Sequence, residues 1–306
     1  MKKFLCLVLV CVCALQMCAF AAEFKDMPSD WSTAALEAAV ENGLLTGDNG
    51  YIKASDNMTR AEMATIMVRA CGAIRTADIS NFTDVKPEDW FYDSMSKAVA
   101  MGAFNGSDGK LNPNDPITRQ EAFVVLSRVF GVAKASSVDQ TVLDSFSDKR
   151  KLASWAKTDV TAIIQQGYVA GDNGRINPLN NITRAEFAVV MDRMVKYYID
   201  EPTEEIPADG NVMIRANGVD LSGIETEKNV IIGDAVTDEN INIKDANITG
   251  KLVIRGGKKV YVEGNYNAIS VLGFEIVLIP GTKNIKWVDL SNGSVFDTTA
   301  IPLGIK

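Results

Sequence analysis

Apolar positions along the chain follow two periods, and the change falls near residue 210. Between Trp31 and Asn42, Ala35, Leu36, Ala39 and Val40 recur at helical spacing and Gly43 supplies a left-handed stop, which predicts a helix. Gly-Asp-Asn-Gly at 47–50 then reads as a turn that tolerates positive φ, leading into a short extended arm. A second helix is predicted from Thr59. The spacing Thr59 to Glu62 is a capping box, in which the threonine accepts from the N3 amide and the glutamate reaches back to the N-cap amide.

The same pattern occurs three times. Trp31, Trp90 and Trp155 are followed by Gly43, Gly102 and Gly167, then by Gly47, Gly106 and Gly171, then by Arg60, Arg119 and Arg184 inside Thr-Arg-x-Glu. Phe24-x-Asp26, Phe82-x-Asp84 and Phe146-x-Asp148 precede the tryptophans, and the copies start 59 and then 65 residues apart. Fixed spacing in triplicate marks a repeat architecture, and units of about 60 residues bury too little surface alone, so the copies should pack together. An apolar residue before the cap can staple to N4 in copies one and three (Met58 to Met63, Ile182 to Phe187), less so in copy two with Ala122.

From Asn211 the period is two. Pairs recur at Val230/Ile232, Ile241/Ile243, Leu252/Ile254, Val260/Val262, Ile269/Val271, Ile276/Leu278 and Ile285/Trp287, with Gly, Asn and Asp between them. Short strands at that spacing fit a parallel β-solenoid with two strands per coil of about 20 residues, or a compact sandwich. The solenoid is favoured, because no Asn-Gly or Asp-Gly hairpin turn separates the pairs. Between the two regions, residues 200–210 hold five acids and two prolines and read as a solvated linker.

Composition narrows the chemistry. The 306 residues contain no histidine, which excludes Ser-His-Asp hydrolysis, imidazole general-base catalysis and His-ligated metal. Met1 to Ala21 reads as a secretory signal peptide, with Lys2 and Lys3, an apolar run and Ala19-Phe20-Ala21 as cleavage site. Its removal takes four of the five cysteines, leaving Cys71 without a disulfide partner, and moves the net charge from -8 to -10. No further apolar run is long enough to span a membrane, and the acidic balance argues against nucleic acid. The Asp/Asn turns lack the spaced ligands of a calcium loop, so no metal or other cofactor is expected.

The tryptophans are expected in the core, with sugar stacking as the second reading. The tetrapeptide arginine at N1 has no such explanation, since the helix dipole mildly disfavours a cation there. Two accounts are balanced: a surface arginine or an ion pair to the Phe-x-Asp carboxylate, and an anion site made of free helix amides and the guanidinium fork.

Phe-x-Asp, Trp, Gly-x-x-x-Gly and Thr-Arg-Ala-Glu in triplicate after a signal peptide resemble S-layer homology domains, from about Phe24 to Tyr198. Copy two has Gln120 in place of alanine, copy one reads Phe-Lys-Asp-Met, and the third approach is longer and more basic at Asp148 to Lys151. The resemblance implies a pseudo-threefold helical prism that binds secondary cell-wall polysaccharide, often pyruvylated, in grooves between repeats. Carried over residue by residue, the ligand-binding set is Asp26, Gly43 and Arg60; Asp84, Gly102 and Arg119; Asp148, Gly167 and Arg184.

The expected organisation is a signal peptide at 1–21, repeats at 22–80, 81–140 and 141–199, the linker at 200–210 and a small all-β domain at 211–306. The expected function is non-catalytic anchoring of an exported protein to a wall polysaccharide or peptidoglycan-linked glycan, with the β domain displayed at the cell surface. The alternatives place the function in the β domain, as a carbohydrate-active enzyme working with carboxylates or as a self-association module.

Overall fold

The computed structural model describes residues 24–132, 138–203, 205–238 and 240–272, and beyond these the backbone of three strands ending at Asp297. The expected signal peptide lies outside the described residues, as does Ile285. Each copy contributes two helices: α1 (Thr33–Glu41) and α2 (Arg60–Cys71), α3 (Tyr92–Ala100) and α4 (Arg119–Val129), α5 (Lys157–Gln165) and α6 (Arg184–Met194). Gly43, Gly102 and Gly167 follow the first helices at φ 68°, 73° and 76°. Each turn then closes as a two-residue hairpin, Asp48 to Tyr51, Ser107 to Lys110 and Asp172 to Arg175, with both central residues at positive φ. The second glycine of each pair is required by close approach: a Cβ on Gly47 would sit 2.0 Å from the ring of Phe24.

All three second helices carry the reciprocal capping box. Their entry residues meet at the centre of a cyclic arrangement. Met58 N–H donates to Ile182 O (3.0 Å), Ile182 N–H to Ile117 O (3.1 Å) and Ile117 N–H to Met58 O (2.9 Å), and all three side chains are fully buried. A closed ring of main-chain bonds between copies is what a pseudo-threefold axis requires, and no copy can complete it alone.

The β region is a solenoid, since among the described residues every strand pairing in it is parallel, and the sandwich alternative is excluded. Its strands are β1 (Tyr197–Ile199), β2 (Val212–Ile214), β3 (Glu225–Thr226), β4 (Val230–Ile232), β5 (Asn240–Ile254), β6 (Lys259–Leu272), β7 (Glu275–Leu278), β8 (Trp287–Ser291) and β9 (Val295–Asp297). Stacked columns such as Val212, Val230, Leu252 and Ile269 fill the interior. The coil has a third short ladder, Glu225–Thr226 on Asn247–Ile248 and these on Asn265–Tyr266, so two strands per coil was one too few. Register shifts bend β5 and β6 around these corners, and Tyr266 fills the interior there. The described residues of the acidic segment 200–210 run between β1 and β2, which pair with each other, and lie along the solenoid rather than apart from it: Thr203 O and Ala208 O accept from Asp220 N–H (3.4 Å) and the Thr226 hydroxyl (3.0 Å), and Ile206 packs on the interior.

One solenoid face packs on the helices. Met213, Ile231 and Val253, each between two inward residues, belong to the helical core, which explains the uninterrupted apolar triplets Val-Met-Ile, Val-Ile-Ile and Leu-Val-Ile. Polar groups of the same face reach the C-terminal ends of the second helices. Arg215 donates to Arg69 O (3.1 Å), Arg255 to Val129 O (3.0 Å), Lys251 to Val132 O (3.2 Å), and the Asn211 amide to Met194 O (2.9 Å). Cations at helix C-termini satisfy orphan carbonyls and oppose the dipole. The β body is therefore docked against the end of the helical body opposite to the ring at Met58, Ile117 and Ile182.

Candidate functional site

Each Phe-x-Asp carboxylate holds the arm of its own copy. Asp26 accepts from the amides of Ile52 (2.6 Å) and Lys53 (2.9 Å), Asp84 from Leu111 (3.0 Å) and Asn112 (2.7 Å), and Asp148 from Ile176 (2.9 Å) and Asn177 (2.8 Å). The second residue of each pair has positive φ (55°, 51° and 53°), a conformation that the two charged hydrogen bonds hold in place. Partial burial pushes the Asp26 carboxyl up, but the amides of Ile52 and Lys53 outweigh it and leave the group below the usual carboxylate value.

Each tetrapeptide arginine reaches into the following copy. Arg60 Nε donates to Leu111 O (2.9 Å) and its terminal nitrogen to Glu121 (3.2 Å); Arg119 does the same at Ile176 O (3.0 Å) and Glu186 (2.8 Å). Arg184 closes the cycle on copy one, at Ile52 O (2.9 Å), Thr46 O (3.1 Å) and Glu62 (3.5 Å). The capping glutamates have two roles, one oxygen taking the N-cap amide of Thr59, Thr118 or Thr183 (2.7 to 2.9 Å) and the other facing the arginine. The arginine side chains are only 10 to 15% exposed.

Two expectations are corrected by this geometry. The helix amides are not free. The N1 amides of Arg60, Arg119 and Arg184 donate to Asp115, Asn180 and Asp56 carbonyls, and the N2 amides of Ala61, Gln120 and Ala185 to those of Pro113, Pro178 and Ala54, at 2.8 to 3.0 Å. An anion site built on those amides has no donors left. The residues also group across copies: Arg60 meets Asp84, Arg119 meets Asp148 and Arg184 meets Asp26, in each case through one shared peptide, 111–112, 176–177 or 52–53. The ion pair of each arginine is with the next copy's glutamate, not with the Phe-x-Asp carboxylate. Gly43, Gly102 and Gly167 stand apart at the first-helix ends, where a Cβ would meet nothing within 4 Å.

The tryptophans are the third correction. Trp31, Trp90 and Trp155 are 65%, 66% and 55% exposed, because Ala35, Leu36 and Ala39 and their counterparts already form the buried face of each first helix. Two of them wall open grooves to which all three copies contribute. One groove, of about 710 Å³, is bounded by Arg184, by Thr46 to Asp48 and Lys53 of copy one, and by Trp90. The other, of about 650 Å³, is bounded by Arg60, by Asn105 to Ser107 and Asn112 of copy two, and by Trp155. Arg69 lines the first and Arg128 the second. These arginines were not singled out from the sequence, although Arg69, Arg128 and Arg193 each follow the tetrapeptide arginine by nine residues. Among the described residues no three His, Cys, Asp or Glu side chains come together as metal ligands.

The S-layer homology domain model matches residues 23–64, 81–123 and 145–188. The chain is 33% identical over 186 residues to the surface-layer 125 kDa protein of Lysinibacillus sphaericus, covering 58% of this chain and 15% of that protein. It is 26% identical over 171 residues to exoglucanase XynX of Acetivibrio thermocellus, covering 55% and 16%, and 23% identical over 264 residues to the S-layer protein sap of Bacillus anthracis, covering 85% and 28%. The chain thus spans well under a third of these relatives. No described helix is long and apolar enough to cross a membrane.

Proposed function

We propose, from the premise that residues 23–188 carry three S-layer homology domains, that the helical body anchors the chain non-covalently to a cell-wall polysaccharide at the cell surface. The observation that supports this best is the pair of grooves, each walled by an arginine from one copy, an arm from the next and an exposed tryptophan from the third. A saccharide suits that arrangement. Its C–H face stacks on an indole, and its hydroxyls meet the polar arm. The ligand is an anionic, pyruvylated secondary polymer on this reading. Asp26, Asp84, Asp148, Arg60, Arg119, Arg184 and the glycines Gly43, Gly102 and Gly167 act by shaping the groove walls, since their own hydrogen bonds and backbone angles hold the arms in place. The chain anchors rather than catalyses, and names such as exoglucanase describe relatives of which it spans a small part.

Co-sedimentation of the purified protein with wall sacculi, intact or stripped of their secondary polymer, tests the proposal. Selective retention by intact sacculi is expected; equal binding to both would overturn it.

A further inference from the structure

Arg60 and Arg184 are committed to carbonyls and glutamates inside the protein, so the grooves need another source of uncommitted positive charge if they read an anion. The last turn of each second helix supplies a candidate. Arg128 is exposed at the edge of the second groove, beside Val124 and facing Trp155, and its side chain makes no hydrogen bond or ion pair among the described residues. Arg69 is half-buried in the first groove, facing Trp90, and donates one bond to Leu44 O (3.1 Å). Arg193, the third in the series, donates to Tyr168 O (3.2 Å) and lines a different cleft, between copy three and the solenoid.

We infer that Arg128 and, more weakly, Arg69 are the residues that read negative charge on a saccharide in these two grooves, while the tetrapeptide arginines hold the groove walls together. This rests on the wall-anchoring proposal. Dipole compensation accounts for a cation in a helix's last turn, but it is satisfied equally by lysine and gives no reason for a planar fork placed across a groove from an indole. A guanidinium with open donors pairs bidentately with either a carboxylate or a phosphate, so the shared ligand chemistry is an oxyanion borne on a sugar. Asp115 and Glu121 line the same groove, Glu121 already paired to Arg60, and Arg128 also interacts electrostatically with Asp159 of copy three, so Asp115 and Asp159 are the acids that weaken anion binding there.

The test uses the full chain and wall polysaccharide released from sacculi, in three forms: native, carboxyl-amidated and dephosphorylated. Isothermal titration gives the affinities. Wild type should bind the native polymer and lose about tenfold on one of the two neutralisations, which identifies the oxyanion. Arg128→Gln should lose a similar factor on the native polymer and nothing further on the neutralised one, with an unchanged unfolding midpoint; Arg128→Lys should fall between. Arg69→Gln should show the same pattern at reduced size. If both glutamine variants lose the same factor on neutralisation as wild type does, the inference is overturned and the anchoring proposal stands. If wild type ignores all three polymers, both fall.

Discussion

Arg60 and Asp84 come from neighbouring copies and grip one peptide from opposite sides: Arg60 Nε donates to Leu111 O at 2.9 Å, and the N–H of the same peptide, that of Asn112, donates to Asp84 at 2.7 Å. The same clasp recurs at the Ile176–Asn177 and Ile52–Lys53 peptides, so the three copies are closed into a cycle by side chains as well as by the central main-chain ring. Arg60→Ala removes the bonds to Leu111 O and Glu121 together. A loss of about 1.5–3 kcal/mol is expected, the range for hydrogen bonds that carry a charge. Urea denaturation measures it, and a loss under about 0.5 kcal/mol would show that the clasp is ornamental. In such a variant weaker glycan binding would follow from a loosened groove, so it cannot assign ligand contact to Arg60.

The exposed tryptophans separate function from stability in the opposite sense. Trp90→Ala and Trp155→Ala remove side chains that are mostly in solvent, so unfolding free energy should change by no more than about 0.5 kcal/mol. Trp90 has the larger share, through its edge-to-face contact with Phe91 at 5.4 Å. Affinity for the wall polymer should drop severalfold in each variant, and titration of the polymer should quench indole fluorescence in wild type. Unchanged affinity in the double variant would remove the stacking role.

Local signals were legible in the sequence, and contacts between copies were not. Capping boxes, glycine stops and two-residue turns are set by residues within four positions of each other, and Thr59 to Glu62 or Asn49-Gly50 sit as their spacing predicts. The arginines misled because their partners lie 51 or more residues away, as do the carbonyls that take the helix amides. Trp31 misled because a large aromatic at a fixed repeat position reads as core, whereas small residues on the other face of α1 already fill it. The docking of the solenoid had a signal that went unread: Met213, Ile231 and Val253 are apolar at positions where a strand with one wet face would carry polar residues.

Cys71 ends α2 against the solenoid, where the Ala235 amide donates to its carbonyl at 3.1 Å. Burial pushes its thiol up to about 12 from the ordinary 9.0, with Asp234 adding to the effect and Arg255 opposing it. A group whose folded value is raised gives its full stability below the unfolded value. That contribution should therefore be complete below about pH 9 and disappear as the pH rises toward 12. At pH 8 the native thiol should resist a disulfide reagent and react only as the seam opens, at a rate that rises with denaturant. Immediate stoichiometric labelling without denaturant would show the seam to be open.

The seam holds a charge pair whose removal can be read unambiguously. Arg255 Nε and Asp234 lie 2.6 Å apart with both side chains 2% exposed, and Arg255 also donates to Val129 O (3.0 Å) and Met101 O (3.4 Å) across the seam. Asp234→Ala strands a guanidinium in a dry site, with Arg75 losing this ion pair as well, and should cost about 3–5 kcal/mol. Arg255→Met strands the carboxylate with only the half-exposed Arg75 to hold it, and leaves the carbonyls of Val129 and Met101 without this donor. The double variant Asp234→Ala/Arg255→Met removes both charges and fills much of the space, so it should be more stable than the sum of the single losses by about 2 kcal/mol. Because the pair sits where both bodies meet, wild type should unfold in one transition, and Asp234→Ala should separate helical from β signals in circular dichroism. Additive losses, or a wild type that already unfolds in two steps, would mean that the Asp234–Arg255 pair does not couple the two bodies, which are then joined by the apolar face of Met213, Ile231 and Val253 and the remaining polar contacts.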